Sequence, residues 1–577
     1  MVEEKRAIKT KKEKFNGVEI ETIFRETRRP YGITDDMTQR MRARYCPPLN
    51  PRSYIPEPGI VCDQDVSVTL RDGTIIYCDI YKPVGQTNLP TIISWSYYGK
   101  RPAESMSEWQ IMGVPPGTVS KMAKFESADP GYWCHQGYAV ANVDPRGVGH
   151  SQGDIYQYCT QDGRDGYDFI EWVATQHWSN GKAALFGNSG VCMPQWKIAA
   201  EQPPHLACIA AWEGVGDLYR ESMYEGGVPS FGFNAANVAG LVGENFVDDT
   251  VAMAIKYPFI NEYWEDKIPK WENIRVPAYV CAGWNHFHLR GSTEGFRRIR
   301  SAKKWLRAHR EFEWPDTYSS FGLAELKRFY DRYLKDIRNG FELTPRVRVD
   351  VMDAYDYDFQ VARPEKEFPL ARTKYTKLYL DASNHSLSFK PVTKESKVSY
   401  EGKEGLTTFD ITFNEDVEIT GYPKLHLWVE AEGNDNMDLF IVIRKLDEKG
   451  EWIPVNALDN PHPGLYGKFR VSRRELDPKW ATDFQPVQAH RKDEKLKPGE
   501  IVPCEIEILP TSRIWHKGQQ LRVIVTGHYI SENWFLPVGY DPENKGNHII
   551  HTGGKYDSYL QIPVIPPKYQ AGDYIYR

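Results

Sequence analysis

Asn188-Ser189-Gly190-Val191 joins an apolar run, KAALFG, to MPQWKIAAEQ, a segment patterned as a helix. A serine at such a bend can serve as a nucleophile, because a strained strand-to-helix turn with small neighbours projects the hydroxyl above a sheet. The usual spacing is G-x-S-x-G. Here Gly187 fills the first place, Val191 replaces the last glycine, and Gly190 directly after the serine relieves crowding. Attack on a carbonyl also needs a base to take the serine proton and return it to the leaving group. His309 suits that role: it follows the strand-like KKWLR and precedes an irregular stretch. Two other groups are read as inert. Cys192, three residues after the serine, is expected to be a buried helix thiol. His286 and His288, two apart, would share a face only on a strand, and no third ligand stands nearby in sequence, so neither a metal nor any other cofactor is expected.

The elements that must position these groups alternate. VSVTL, the turn Arg71-Asp72-Gly73 and TIIYCDIY read as a hairpin. The short apolar strands PTIISW, YAVANVD, KAALFG, LACIAAW and PAYVCAGW follow, with helical patterns such as DGYDFIEWVATQ (165–176) between them. Such alternation predicts a parallel sheet with right-handed crossovers. Residues 214–273 are far longer than an ordinary connection and carry aromatic residues at helical spacing, so they are expected to form a helical cap. AELKRFYDRYLKDIRNG is an amphipathic helix with Gly340 as its stop signal. Beyond it the pattern changes to short strands with turn signals: YTKLYLD, TTFDITF, YPKLHLWVEA, DLFIVIRKL, VPCEIEIL and QQLRVIVTG. An all-β jelly roll or sandwich is the natural reading. The expected organisation is an N-terminal arm (1–58), a first part of the sheet domain (59–213), the cap (214–273), the rest of the sheet domain (274–340) and a C-terminal jelly roll (341–577).

Composition narrows the partners. The 577 residues carry a net charge of −6, and the basic stretch is confined to the start, Lys5 to Lys14, so nucleic acid is not an expected partner. No apolar run is long enough to cross a membrane, and MVEEKRAIKTKKEKF does not resemble a signal peptide. Nine cysteines lie scattered without CxxC spacing, which fits reduced thiols and a cytoplasmic location. Aromatic residues make up 13% of the chain, which suits aromatic-lined clefts.

Several separated segments together resemble the cocaine esterase, α-amino acid ester hydrolase and X-prolyl dipeptidyl peptidase family. They are Tyr97-Tyr98-Gly99-Lys100, Asp144-Pro145-Arg146-Gly147-Val148-Gly149 with Ser151 and Gly153, Trp178-Ser179-Asn180-Gly181-Lys182, Gln195-Trp196, Asp217-Leu218-Tyr219-Arg220, Lys304-Trp305-Leu306 with His309, and Phe329 to Lys335. Met437-Asp438-Leu439-Phe440, Val471-Ser472-Arg473-Arg474 and His551-Thr552-Gly553-Gly554 are similar to the family's C-terminal β domain. The resemblance implies an α/β-hydrolase domain with a cap and a jelly roll, in which nucleophile, acid and histidine follow in that order. It also implies that Tyr98, with the backbone N–H of Gly190, forms the oxyanion hole; Tyr97 competes for that role. One departure is plain. The family's aspartate after the strand YVCAGW is missing, because the chain continues Asn285-His286-Phe287-His288. Glu213, ending the preceding strand, could orient the histidine instead; a missing acid and other carboxylates such as Asp217 remain alternatives.

The resulting expectation is a serine hydrolase that cleaves small ester, amide or short-peptide substrates through an acyl-enzyme on Ser189, with His309 and Glu213 completing the triad. An X-Pro-type dipeptidyl peptidase, an acyltransferase, or a binding protein that has lost its triad acid are the alternatives. Homo-oligomerisation is left open.

Overall fold

A computed structural model describes residues 6–28, 47–102, 106–458, 460–530 and 540–566. Within these, the chain divides into two compact units. One holds residues up to 223 together with 231–307 and 311–345; the other holds 224–230, 308–310 and 346 onward. The expected boundary stood at 340/341 and the units part at 345/346. Residues 224–230 of the expected cap fall in the second unit. Part of the expected N-terminal arm, residues 29–46, lies outside the described residues.

The first unit is built on a mixed sheet. Arg52–Glu57, Ile60–Thr69 and Ile75–Pro83 run antiparallel in sequence, and Ile75–Pro83 also pairs antiparallel with Ala139–Asp144. From there every pairing is parallel: Ala139–Asp144 with Leu89–Trp95, Leu89–Trp95 with Ser179–Asn188, Ser179–Asn188 with Leu206–Trp212, and Leu206–Trp212 with Ala278–Gly283. The parallel strands are covered on both faces, which explains why they read as unbroken apolar runs rather than as alternating patterns. Leu89–Trp95 and Ala139–Asp144 are buried at every residue. Helices Thr160–Ala174, Met193–Ala200, Leu289–Arg298 and Ser320–Leu334 supply the crossovers and the cover. Phe329 and Tyr330 of Ser320–Leu334 pack with Trp133, Tyr138, Trp212, Tyr279 and Phe341 in an aromatic cluster of the core.

The last helix stops earlier than Gly340 suggests. It ends at Leu334, and Asp336 already has a left-handed backbone at φ 57°, while Gly340 at φ 74° instead opens the short turn Phe341–Leu343. N-terminal residues fold back: Ile8–Phe15 and Val18–Glu26 form an antiparallel hairpin, extended by Phe246–Asp248 from the long insertion. Besides that strand the insertion contains helices Gly232–Gly240, Thr250–Lys256 and Glu262–Asp266, and the two-residue strands Tyr224–Glu225 and Val228–Pro229.

The second unit is all-β. Leu406–Thr412 pairs with Gln520–Thr526, which pairs with Asp438–Leu446, which pairs with Leu465–Arg470. Ser396–Glu401 pairs with Asn547–Thr552, which pairs with Lys424–Glu432, which pairs with Val502–Glu507. Alternate residues of Lys424–Glu432, namely Leu425, Leu427, Val429 and Ala431, face a core that also takes Leu439, Ile441, Val523, Val525 and Ile550. All eight described cysteines are buried and unpaired, as the scattered spacing implied.

Candidate active site

Ser189 sits where Ser179–Asn188 turns through the 3-10 segment Ser189–Val191 into helix Met193–Ala200. Its φ is 52°, a left-handed conformation that costs a residue with a Cβ roughly 1–2 kcal/mol and must be held by its surroundings. The holding bonds are visible. Ser189 N–H donates to the carbonyl of Glu213 at 2.8 Å, the carbonyl of Ser189 accepts from Cys192 N–H at 2.9 Å, and Asn188 N–H donates to the carbonyl of Glu126 at 3.3 Å. Glycine is obligatory at two flanking positions. A Cβ on Gly187 would lie 2.3 Å from Val191 Cγ1 and 2.9 Å from the Glu126 carbonyl oxygen. One on Gly190 would lie 2.4 Å from Tyr98 Oη. The valine that departs from the G-x-S-x-G spacing therefore fills the space that Gly187 leaves.

Tyr98 reaches Gly190 because its loop is pinned. Lys100 Nζ donates to Asp144 Oδ2 at 2.7 Å in a buried ion pair, Gly99 takes φ 91°, and Tyr98 N–H donates to Ser96 Oγ at 3.1 Å. Tyr97 points elsewhere: its hydroxyl donates to Asp162 Oδ2 at 2.5 Å. Arg146 ties loops together through Asp165, Asp72 and Thr74.

Glu213 directly follows Leu206–Trp212, is 1% exposed and has φ 54°. Its backbone carbonyl accepts from both Ser189 N–H and His288 Nδ1–H, each at 2.8 Å. Its carboxylate accepts from Gly283 N–H at 2.8 Å and lies 3.7 Å from His286 Nδ1. Asp217, the competing carboxylate, caps the turn Tyr219–Met223: Oδ1 accepts from Arg220 N–H at 3.0 Å and Oδ2 pairs with the Arg220 guanidinium at 2.8 Å. His309 ends the strand Lys304–His309 and is 3% exposed. Two residues before it, Arg307 is locked to Asp316 by bonds of 2.6 and 2.5 Å.

Three residues at the elbow had no sequence signal attached to their role. His286, occupying the stretch where the family's aspartate is expected, lies between carboxylates: Nε2 is 3.2 Å from Glu313 Oε1, and Glu213 flanks Nδ1. Glu313 in turn accepts from Asn188 Nδ2 at 2.9 Å, which links the histidine to the elbow strand. Glu126 lies on the other flank, 1% exposed and at φ 58°, with Oε1 accepting from Trp314 Nε1–H at 3.2 Å. Burial pushes the Glu126 carboxyl well above the usual range and the nearby charge of Glu313 adds to this, against the pull of Trp314, the Ser189 side chain and the Gly190 amide. Glu313 is raised too, mainly by burial, with His286 opposing. Glu313 and Glu126 both stand in stretches of the sequence that match no motif.

His286, His288 and Glu313 can each bring one potential ligand atom within 4.8 Å of the others. Bonds to the backbone fix how the two rings are turned. His288 N–H donates to His286 Nδ1 at 3.1 Å, which leaves the ring proton on Nε2, facing Glu313. Burial drives the His288 imidazole well below its ordinary pKa, so it is neutral and anchors the Glu213 backbone.

Comparison with known proteins follows the two units. Residues 72–245 match the X-Pro dipeptidyl-peptidase (S15) family, and residues 339–561 match the X-Pro dipeptidyl-peptidase C-terminal non-catalytic domain. The crystal structure of a CocE/NonD family hydrolase from Staphylococcus aureus is 34% identical, with a TM-score of 0.83 over 88% of this chain and 94% of that one. Cocaine esterase from Rhodococcus sp. (strain MB1 Bresler) is 24% identical over 381 residues, which span 55% of this chain and 62% of the esterase. An aminopeptidase from a Thaumarchaeota archaeon shares the fold at 15% identity, with a TM-score of 0.66 over 90% of this chain and 99% of that one.

Proposed function

This chain belongs to the CocE/NonD family of hydrolases, and we propose that it is a serine hydrolase that cleaves small ester or amide substrates through an acyl-enzyme on Ser189. The observation that carries this is the strained serine whose following residue, Gly190, lies under the Tyr98 hydroxyl. In the reaction Ser189 Oγ bonds to the substrate carbonyl carbon, and the oxyanion that forms is held by Gly190 N–H and Tyr98 O–H. His309 takes the serine proton and passes it to the leaving alcohol or amine; water then releases the acid by the reverse sequence. The place of His309 is supported by chain order and by its position at the carboxyl end of its strand. Glu213, bonded to the elbow through its backbone, acts as the acid that orients the base.

A second reading puts His286 in the base role, because its ring is the one gripped by Glu313 and Glu213 beside the elbow. One experiment separates them: a fluorophosphonate probe is offered to the parent, Ser189→Ala, His309→Ala and His286→Ala. Labelling should vanish in Ser189→Ala and slow by orders of magnitude in His309→Ala. If His286→Ala is the variant that slows while His309→Ala reacts like the parent, the second reading replaces the first. A parent that takes no label removes the hydrolase reading.

A further inference from the structure

Glu126 is a carboxyl group against the nucleophile that the reaction above does not use. Its backbone is left-handed, its carbonyl fixes the last residue of the elbow strand, and its side chain is sealed from solvent. A charged polar side chain confined in this way needs a reason. The two carboxyl oxygens differ. Oε1 accepts the indole N–H of Trp314, while Oε2 is buried and, among the described residues, has no hydrogen-bond partner. If the group is a neutral acid, Oε1 is the carbonyl oxygen and Oε2 carries an O–H with nothing yet to donate to. The Ser189 side chain and the Gly190 amide face this carboxyl.

We propose that Glu126 is held as a neutral carboxylic acid and is a third donor to the oxyanion, beside Gly190 N–H and Tyr98 O–H. This rests on the Ser189 reading above. As the Ser189 Oγ–carbon bond forms, the carbonyl π pair moves onto oxygen, and the Glu126 O–H donates a hydrogen bond to it without losing its proton. When the leaving-group bond breaks, the pair returns and Glu126 is unchanged. A neutral acid in an apolar site is a strong donor, whereas its carboxylate would repel the oxyanion.

The groups facing Glu126 agree on the direction of its protonation. Burial and the Glu313 carboxyl favour the neutral form, and Trp314, Ser189 and the Gly190 amide oppose it. Tyr158 and Cys192 are both held un-ionised, mainly by burial, with the Glu126 charge adding to it. Behind Glu313 stand His286 and Glu213, the first lowering and the second raising its affinity for a proton. Activity should therefore show a falling alkaline limb in kcat that belongs to Glu126.

The test compares the full-length parent, Glu126→Gln and Glu126→Ala on a p-nitrophenyl ester of a short-chain acid across pH. The alanine variant should lose roughly 100- to 1,000-fold in kcat with KM little changed, the size expected for one oxyanion donor. The glutamine variant, which keeps an N–H donor but no ionisable proton, should lose only about ten-fold and should lack the alkaline limb. Glu126→Gln as inactive as Glu126→Ala, a glutamine variant that keeps the limb, or an alanine variant with the parent's kcat would each overturn the proposal. Should the alanine variant fail to fold, the limb in the glutamine variant still decides. Fluorophosphonate labelling of the parent at Ser189 tells the two failures apart, since a labelled parent preserves the hydrolase reading whatever Glu126 does.

Discussion

At the scale of single residues, the elbow could be read from the sequence because its constraint is local. Ser189 and Gly190 adjoin, and the strained turn needs small neighbours, so a linear pattern holds the information. Tyr98 was preferred to Tyr97 as the oxyanion donor because it directly precedes Gly99-Lys100, and the two hydroxyls point differently: toward Asp162 for Tyr97, over Gly190 for Tyr98. Tyr98→Phe removes that donor alone, so kcat should fall by about 100- to 1,000-fold while KM stays within a few-fold, measured by steady-state kinetics. Unchanged kcat would show that the hydroxyl does not reach the oxyanion. Glu126, Glu313 and the contacts of His286 were not legible, because each acts through neighbours brought in from distant segments. A lone carboxylate in an irregular stretch carries no sign that it will be buried.

At the scale of elements, periodicity and strand length located the parallel strands and the C-terminal β strands well, since both follow from which faces are covered. The end of helix Ser320–Leu334 was misplaced because Gly340 is a strong stop signal that serves the next turn, and the chain leaves the helix at Lys335 and Asp336 instead. The long insertion read as helical from its aromatic spacing, but its strand Phe246–Asp248 answers to a partner near the N-terminus that no local pattern reveals. The strand that delivers His309 depends on a buried pair. Arg307 and Asp316 are 4% and 7% exposed, and their bidentate contact joins Lys304–His309 to the helix Glu313–Thr317. Removing Asp316 leaves the buried guanidinium with the more distant Glu325 carboxylate, 4.0 Å away, so Asp316→Ala should destabilise the unit by about 3 kcal/mol, read from the urea unfolding midpoint. Replacing both by apolar residues of similar volume, Arg307→Met with Asp316→Leu, should cost less. Equal losses in the two variants would mean that packing, and not charge, holds this junction.

For the whole molecule, two buried carboxyls give stability a pH dependence. Burial pushes Asp162 up to about 7 and Glu221 up to about 8, both above the values near 4 expected of an unfolded chain. A folded pKa raised in this way contributes stability that is complete below about pH 4 and is lost as pH rises through 7 and 8. Lys197 and Lys445, lowered to about 8, contribute with the opposite sign only above that pH, and the imidazoles of His462 and His548, lowered to about 4, oppose the fall mainly below about pH 6.5. The first thermal transition should therefore fall between pH 6 and pH 8, and Asp162→Asn should flatten part of that fall. A transition that rises over this interval would contradict the account of these two groups.

The proposed chemistry depends on Ser189 becoming acylated. The most direct measurement is acid quenching of the protein during turnover of a p-nitrophenyl ester, followed by proteolysis and mass mapping of the acyl group. The account predicts an added acyl mass on the peptide containing Ser189 and on no other, lost in Ser189→Ala. An acyl group found on a different residue, or turnover that continues in Ser189→Ala at the parent's rate, would contradict it.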